Sequence, residues 1–124
     1  MKTIKKLTEA ELEIMLVVWD AKEAVTSEYI MARLNKDWTR PTLLKLLTRL
    51  TERGFLHCEK DGRHNIYTVQ VPREDYVQEV SGTFLQKLHH NSLTSLVASL
   101  YDGQKVSKAD LDELKRFIEE AENV

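Results

Sequence analysis

The sequence predicts a mainly α-helical fold carrying one small antiparallel β-hairpin, and three observations support that expectation. Three amphipathic helical patterns precede Gly54. The apolar period changes to two on either side of Asp61-Gly62. Three further helical patterns follow Pro72.

The first helix is predicted over about residues 8–20. Thr8-Glu9-Ala10-Glu11 forms a capping box in which the Thr8 hydroxyl and the Glu11 carboxylate each satisfy a free backbone N–H, with Leu7 and Leu12 as the hydrophobic staple. Leu12, Met15, Leu16 and Trp19 recur at helical spacing and are its expected apolar face. A second helix is expected from Thr26, stapled by Val25 and Ile30, with Leu34 continuing its face to about Asn35. The third is expected from near Pro41, because proline suits a first helical turn and biases Arg40 toward an extended conformation. Leu43, Leu46, Leu47 and Leu50 share one side of it, and Gly54 suits the left-handed position that closes a helix.

Strand-like runs at 55–60 and 63–69 flank Asp61-Gly62, a dipeptide favoured in type I′ hairpins because both residues accept positive φ. That turn pairs Leu56 with Tyr67 and Lys60 with Arg63. Three helices followed by such a hairpin are the order of a winged helix-turn-helix, placed at 1–71. A helical region is expected at 72–124, with apolar stripes at Tyr76, Val77, Val80, Phe84, Leu85 and Leu88, then Leu93, Leu96, Val97 and Leu100, then Leu111, Leu114 and Ile118. The last pattern opens on Ser107-Lys108-Ala109-Asp110, a cap-like box, and Gly103 separates it from the one before.

Composition narrows the function. The 124 residues are 42% hydrophobic and 31% charged, as in ordinary globular proteins. No apolar run approaches the ~18 residues of a membrane span. The basic start Met1-Lys2-Thr3-Ile4-Lys5-Lys6-Leu7 lacks an apolar core, so no signal peptide is expected and the cytoplasm is the expected compartment. Residues 1–71 carry a net charge of +2 and residues 72–124 a net of −4, which suits a front half that meets an anion or is a chance of surface charge. Cys58 is alone, and His57, His64, His89 and His90 show no paired ligand spacing, so no metal or other cofactor is expected. No nucleophile motif or glycine-rich phosphate loop is present, so the chain is not expected to be an enzyme.

The third helix has a polar, cationic side opposite its leucines. Thr42, Lys45, Thr48 and Arg49 lie there, with Arg40 at its start, as recognition helices present such groups to bases and phosphates. Leu44 shares that side, either as scattered surface apolarity or as a contact for thymine methyls. At the hairpin tip Lys60 and Arg63 flank the turn, either as a phosphate or minor-groove probe or as a solvated turn.

The segment Leu7-Thr8-Glu9-Ala10-Glu11-Leu12-Glu13-Ile14-Met15 followed by Trp19 resembles the opening of the BlaI/MecI penicillinase-repressor family. So do Thr42, Thr48-Arg49-Leu50, Arg53-Gly54-Phe55-Leu56 and the Gly62-Arg63 to Tyr67 wing, and Phe84-Leu85 and Ser95-Leu96-Val97 are similar to its C-terminal region. The resemblance implies a homodimeric repressor on palindromic operator DNA, released when a protease linked to a membrane sensor cuts it. It places Thr42, Lys45, Thr48 and Arg49 on the recognition helix, and with the residues read above the expected DNA contacts are Arg40, Thr42, Leu44, Lys45, Thr48, Arg49 and Arg63. The dimer interface would comprise Phe84, Leu85, Leu88, Leu93, Leu96, Val97, Leu100, Leu111, Leu114 and Ile118. Two departures stand out. Pro41 occupies a position where relatives often carry a polar or basic residue, and Ser99-Leu100 stands where the family's Asn-Phe cleavage pair falls. The copper-responsive branch has a C-terminal cysteine cluster that is missing here. Two other readings of the residues remain open: a repressor relieved by a small ligand, and a winged helix that binds a protein instead of DNA.

Overall fold

The computed structural model describes residues 4–123; Met1–Thr3, the start of the basic N-terminal segment, and Val124 lie outside the described residues. The elements run α1 (Glu9–Ala21), β1 (Val25–Thr26), α2 (Ser27–Arg33), α3 (Arg40–Glu52), β2 (Leu56–Asp61), β3 (His64–Val69), α4 (Arg73–His89), α5 (Leu93–Asp102) and α6 (Lys108–Glu122). The chain parts into two compact units, one ending at Val80 and the other beginning at Ser81.

In the first unit the capping box forms as its sequence requires. The Glu11 N–H donates to the Thr8 hydroxyl at 3.2 Å and the Thr8 N–H donates to the Glu11 carboxylate at 2.9 Å. The apolar face of α1 differs from the expected one. Glu11, Ile14, Met15 and Val18 are buried, Leu12 and Trp19 are half-buried, and Leu16 is 46% exposed. Residues 14–19 are all apolar, so more than one stripe is available at helical spacing. The inward pull on Glu11, described below, accounts for which one is used.

Thr26 caps α2 by accepting from the Tyr29 N–H, and α2 ends at Arg33, two residues short of the expected Asn35. The α3 helix starts one residue earlier than expected. Arg40 is its first helical residue, and Thr39 takes the extended conformation expected of Arg40. The Thr39 hydroxyl accepts from the Thr42 N–H, and a cap there outweighs the bias that proline places on its predecessor. Leu43, Leu46, Leu47 and Leu50 are all buried, and Gly54 closes the helix at φ +83°.

The wing forms with a different register. Leu56 pairs with Val69, Cys58 with Tyr67, and Asp61 with His64, so each partner is shifted by two residues from expectation. Gly62 has positive φ (65°) but Arg63 does not, so the two-residue loop is Gly62-Arg63, with glycine at the first central position as in a type II′ turn. A shift of two preserves which side chains share a face, and Leu56 and Tyr67 remain buried as the alternation requires. Val25 and Thr26 add a third strand that the sequence reading had assigned to a helix staple and cap. They pair with Tyr67 and Ile66, giving the order β1-β3-β2.

The first turn of α4 is tied to the winged helix. The Tyr76 hydroxyl accepts from the Leu7 N–H at 2.9 Å, and its ring meets Trp19 and Phe55. The Trp19 indole N–H donates to the Val71 carbonyl at 2.9 Å. In the second unit Ser92 caps α5, and Ser107 with Asp110 forms the expected box at α6. None of the residues of α5 or α6 is buried.

One charged side chain lies in the core. Glu11 is fully buried and bonded to Arg53 at the end of α3, while Arg53 also donates to the Lys6 carbonyl at 3.0 Å. Burial pushes the Glu11 carboxyl up, but Arg53 and the Thr8 N–H together outweigh it and hold it below its ordinary 4.5. A carboxyl lowered in the folded state contributes stability that is whole above the unfolded value and is lost as pH falls through the folded one. Arg53→Met is therefore expected to destabilise the protein by about 3 kcal/mol at neutral pH, because it strands a buried charge. Glu11→Gln should flatten the loss of stability below about pH 4.5. Urea melts across pH measure both, and an Arg53→Met protein as stable as its parent would contradict this role for the pair.

Candidate nucleic-acid interface

The four leucines that bury one side of α3 leave the opposite side to solvent. Arg40, Thr42, Lys45, Thr48 and Arg49 are exposed, as expected. Leu44 is half-buried and packs against the core, so it is less available than its position on the wheel suggested. Lys45 and Arg49 stand one turn apart. Among the described residues neither takes part in a salt bridge. The Thr48 hydroxyl donates to the Leu44 carbonyl at 2.9 Å, which leaves its oxygen able to accept a further bond.

The start of α3 is cationic in a way that several other helices are not. Its first turn holds no acidic residue, whereas α1, α2, α4 and α6 each hold at least one. Free N–H groups and the positive end of the helix dipole are thus left without a nearby carboxylate of their own turn. Thr39 accepts one of those N–H groups and its hydroxyl lies 3.1 Å from that of Thr42.

Arg63 is exposed within the Gly62-Arg63 turn, next to His64. The wing tip and the start of α3 meet at one carboxylate. Glu28, in the first turn of α2, accepts from the Arg40 guanidinium at 3.1 Å and lies 3.7 Å from His64 Nδ1. Of the expected DNA contacts, Glu28 therefore meets Arg40 alone, and on the wing it lies beside His64. Glu28 and Arg40 are twelve residues apart in different helices, and no local spacing announces such a pair.

The expected interface residues of the second unit are found on its surface. Phe84, Leu88, Leu93 and Ile118 are exposed, while Leu85, Leu96, Val97, Leu100, Leu111 and Leu114 are half-buried. Phe117 at 65% and Tyr101 at 54% are equally exposed and were not in the expected stripes. Between α5 and α6 lies an open apolar cavity of about 350 Å³, lined by Leu93, Val97, Tyr101, Leu111, Leu114 and Ile118 among others.

The family model described as penicillinase repressor matches residues 7–120. The chain belongs to the penicillinase repressor family. As a member of this family it is a transcriptional repressor by descent, and the family is not a class of enzymes. It is 32% identical to the penicillinase repressor of Bacillus licheniformis, over 99% of this chain and 97% of that one. It is 28% identical to the methicillin resistance regulatory protein MecI of Staphylococcus aureus, over 91% and 93% of the two chains. The solution structure of the DNA binding domain of the repressor BlaI aligns with 61% of this repressor at 33% identity and a TM-score of 0.52, covering 94% of that domain. The monomeric form of Bacillus licheniformis BlaI, solved in complex with the blaP half-operator, aligns at 32% identity and a TM-score of 0.51 over the same shares. The resemblance read from the sequence is therefore correct, and so is the winged helix.

Proposed function

We propose that this repressor binds palindromic operator DNA as a homodimer, with α3 in the major groove and the wing tip against the backbone. The observation that carries this reading is the pair Lys45 and Arg49, exposed and without salt-bridge partners among the described residues, on a helix whose other face is fixed in the core. Bases are read by Lys45, Thr48 and Arg49, and Leu44 contributes only its exposed edge. Thr42, Arg40 and Arg63 meet phosphates. The BlaI relative solved with a half-operator supports the docking of a winged helix of this kind on DNA.

The second copy is supported by the apolar surface of 81–124. Its side chains stay half-buried or exposed, and pairing two copies covers them and spaces two recognition helices for half-sites about 34–36 Å apart. Among the described residues no helix is long and apolar enough to cross a membrane, and a repressor working on the genome is placed in the cytoplasm. Selection from a randomised duplex library tests the DNA reading. The full chain should enrich a palindrome, and enrichment of no sequence would remove it in favour of a protein-binding winged helix.

Release is by cleavage at Ser99-Leu100, made by a protease linked to a membrane sensor. The Ser99 carbonyl accepts from the Gly103 N–H at 3.0 Å and the Leu100 carbonyl from the Lys105 N–H at 2.8 Å, so the bond lies in the hydrogen-bonded last turn of α5. A protease needs that turn to open locally, and an end position makes opening cheap. Replacing the exposed Ser99, while keeping Leu100 on the proposed dimer face, should leave DNA affinity unchanged and block induction in the cell. Normal induction with the protein still full length on a blot would favour relief by a small ligand.

A further inference from the structure

Glu28 is an odd residue to find at this surface. It places a carboxylate 3.1 Å from Arg40, the first residue of the helix that this reading turns toward DNA, and 3.7 Å from the wing-tip His64. The carboxyl is held below its ordinary value by its own backbone N–H and then by Arg40, so it is charged at neutral pH. Both side chains are well exposed, 60% for Arg40 and 45% for Glu28. Exposed pairs of this kind are weak; Glu28 takes the guanidinium through one N–H, whereas a DNA phosphate can take it bidentately within a denser array of charge.

We infer that Glu28 masks Arg40 in the free protein, so that binding DNA of any sequence requires the guanidinium to leave the carboxylate for a phosphate. Glu28 thereby sets the general DNA affinity of the repressor without touching a base. The inference rests on the proposed DNA-binding reading of α3. Lys45 and Arg49 are not masked in this way among the described residues, so base-reading cations are available at once and the backbone cation at the start of the helix only by exchange. A low background affinity matters for a repressor, because the genome offers a vast excess of competing sites.

The test uses the full chain and a fluorescent duplex of arbitrary sequence, titrated at salt from about 50 to 200 mM. Four proteins are compared with the parent: Glu28→Gln, Arg40→Ala, the two combined, and Lys45→Ala with Arg49→Ala. Thermal melts confirm folding, which exposed polar replacements leave within a narrow range. Glu28→Gln should bind more tightly by up to about fivefold, with an unchanged log K against log salt slope, because Arg40 meets its phosphate in both proteins and only the cost of leaving the carboxylate is gone. Arg40→Ala should show a slope shallower by about 0.9, for the phosphate contact it loses. In the Arg40→Ala background Glu28→Gln should change nothing, since no guanidinium is left to release. Weaker binding by Glu28→Gln would mean that the carboxylate orients Arg40 and would overturn the inference. An equal gain in both backgrounds would overturn it too, as simple removal of a negative charge. Unchanged binding of Lys45→Ala with Arg49→Ala to the selected palindrome would instead count against the underlying reading of α3, whatever Glu28 does.

Discussion

Replacing Lys45 and Arg49 together with alanine is expected to cost about 2–6 kcal/mol at each half-site of the selected palindrome, roughly 30-fold to 10⁴-fold per half-site. The two side chains are exposed on one face of α3, one turn apart, so a groove that takes this helix would meet both. A cation that reads a base loses its contribution mainly on the correct sequence, so discrimination between the palindrome and an unrelated duplex should fall with affinity. A cation that meets only phosphate would weaken binding to every duplex alike and reduce the salt slope by about 0.9. Folding should be untouched, because the anchoring of α3 lies in Leu43, Leu46, Leu47 and Leu50, on the other side. Unchanged affinity in a variant that melts like its parent would remove α3 from the interface.

The second large effect is expected at α6. Phe117 and Ile118 are exposed on α6, and Ile118 lines one apolar cavity with Leu111 and Leu114 of the same helix and Leu93 and Val97 of α5. Contiguous apolar surface of this kind is uncommon on a protein that acts alone. Phe117→Asp with Ile118→Asp should convert a dimer to a monomer in sedimentation. The desolvation of two carboxylates at a buried interface is costly enough to prevent pairing. Affinity for a full palindrome should then fall by about 10²–10⁴, because the second half-site contact is no longer intramolecular, while affinity for an isolated half-site stays the same. A parent that sediments as a monomer at micromolar concentration would show that these helices are covered in some other way.

Local rules were readable where one residue fixes one backbone feature. Thr8 with Glu11 gave the start of α1, Ser107 with Asp110 that of α6, and Gly54 the end of α3, and each lies where its chemistry requires. Rules in competition were not. Pro41 pushes its predecessor toward extended backbone, yet the Thr39 cap draws Arg40 into the helix. Asp61-Gly62 and Gly62-Arg63 are both possible two-residue turns, and only the observed pairing, with Gly62 at positive φ and Arg63 not, separates them. In α1 the run of apolar residues hides its inner face, which the distant Arg53 settles through Glu11. The same lack of a local signal hid β1, whose two residues are a strand only because Tyr67 and Ile66 lie beside them. At the candidate interface the cations of α3 were legible from the helical wheel, whereas Glu28 was not, since its partners come from two other elements.

If this repressor holds duplex DNA through cations on α3 and the wing, a salt titration of the full chain on its selected palindrome will show it. Neutralising several phosphates in each half-site releases counterions, so log K should fall linearly with log salt, at about 0.9 for each phosphate contacted. The slope should be close to twice as large on the palindrome as on a single half-site, and shallower when Arg63 is replaced by alanine. Affinity that does not change with salt, or no measurable binding even at low salt, would contradict the account.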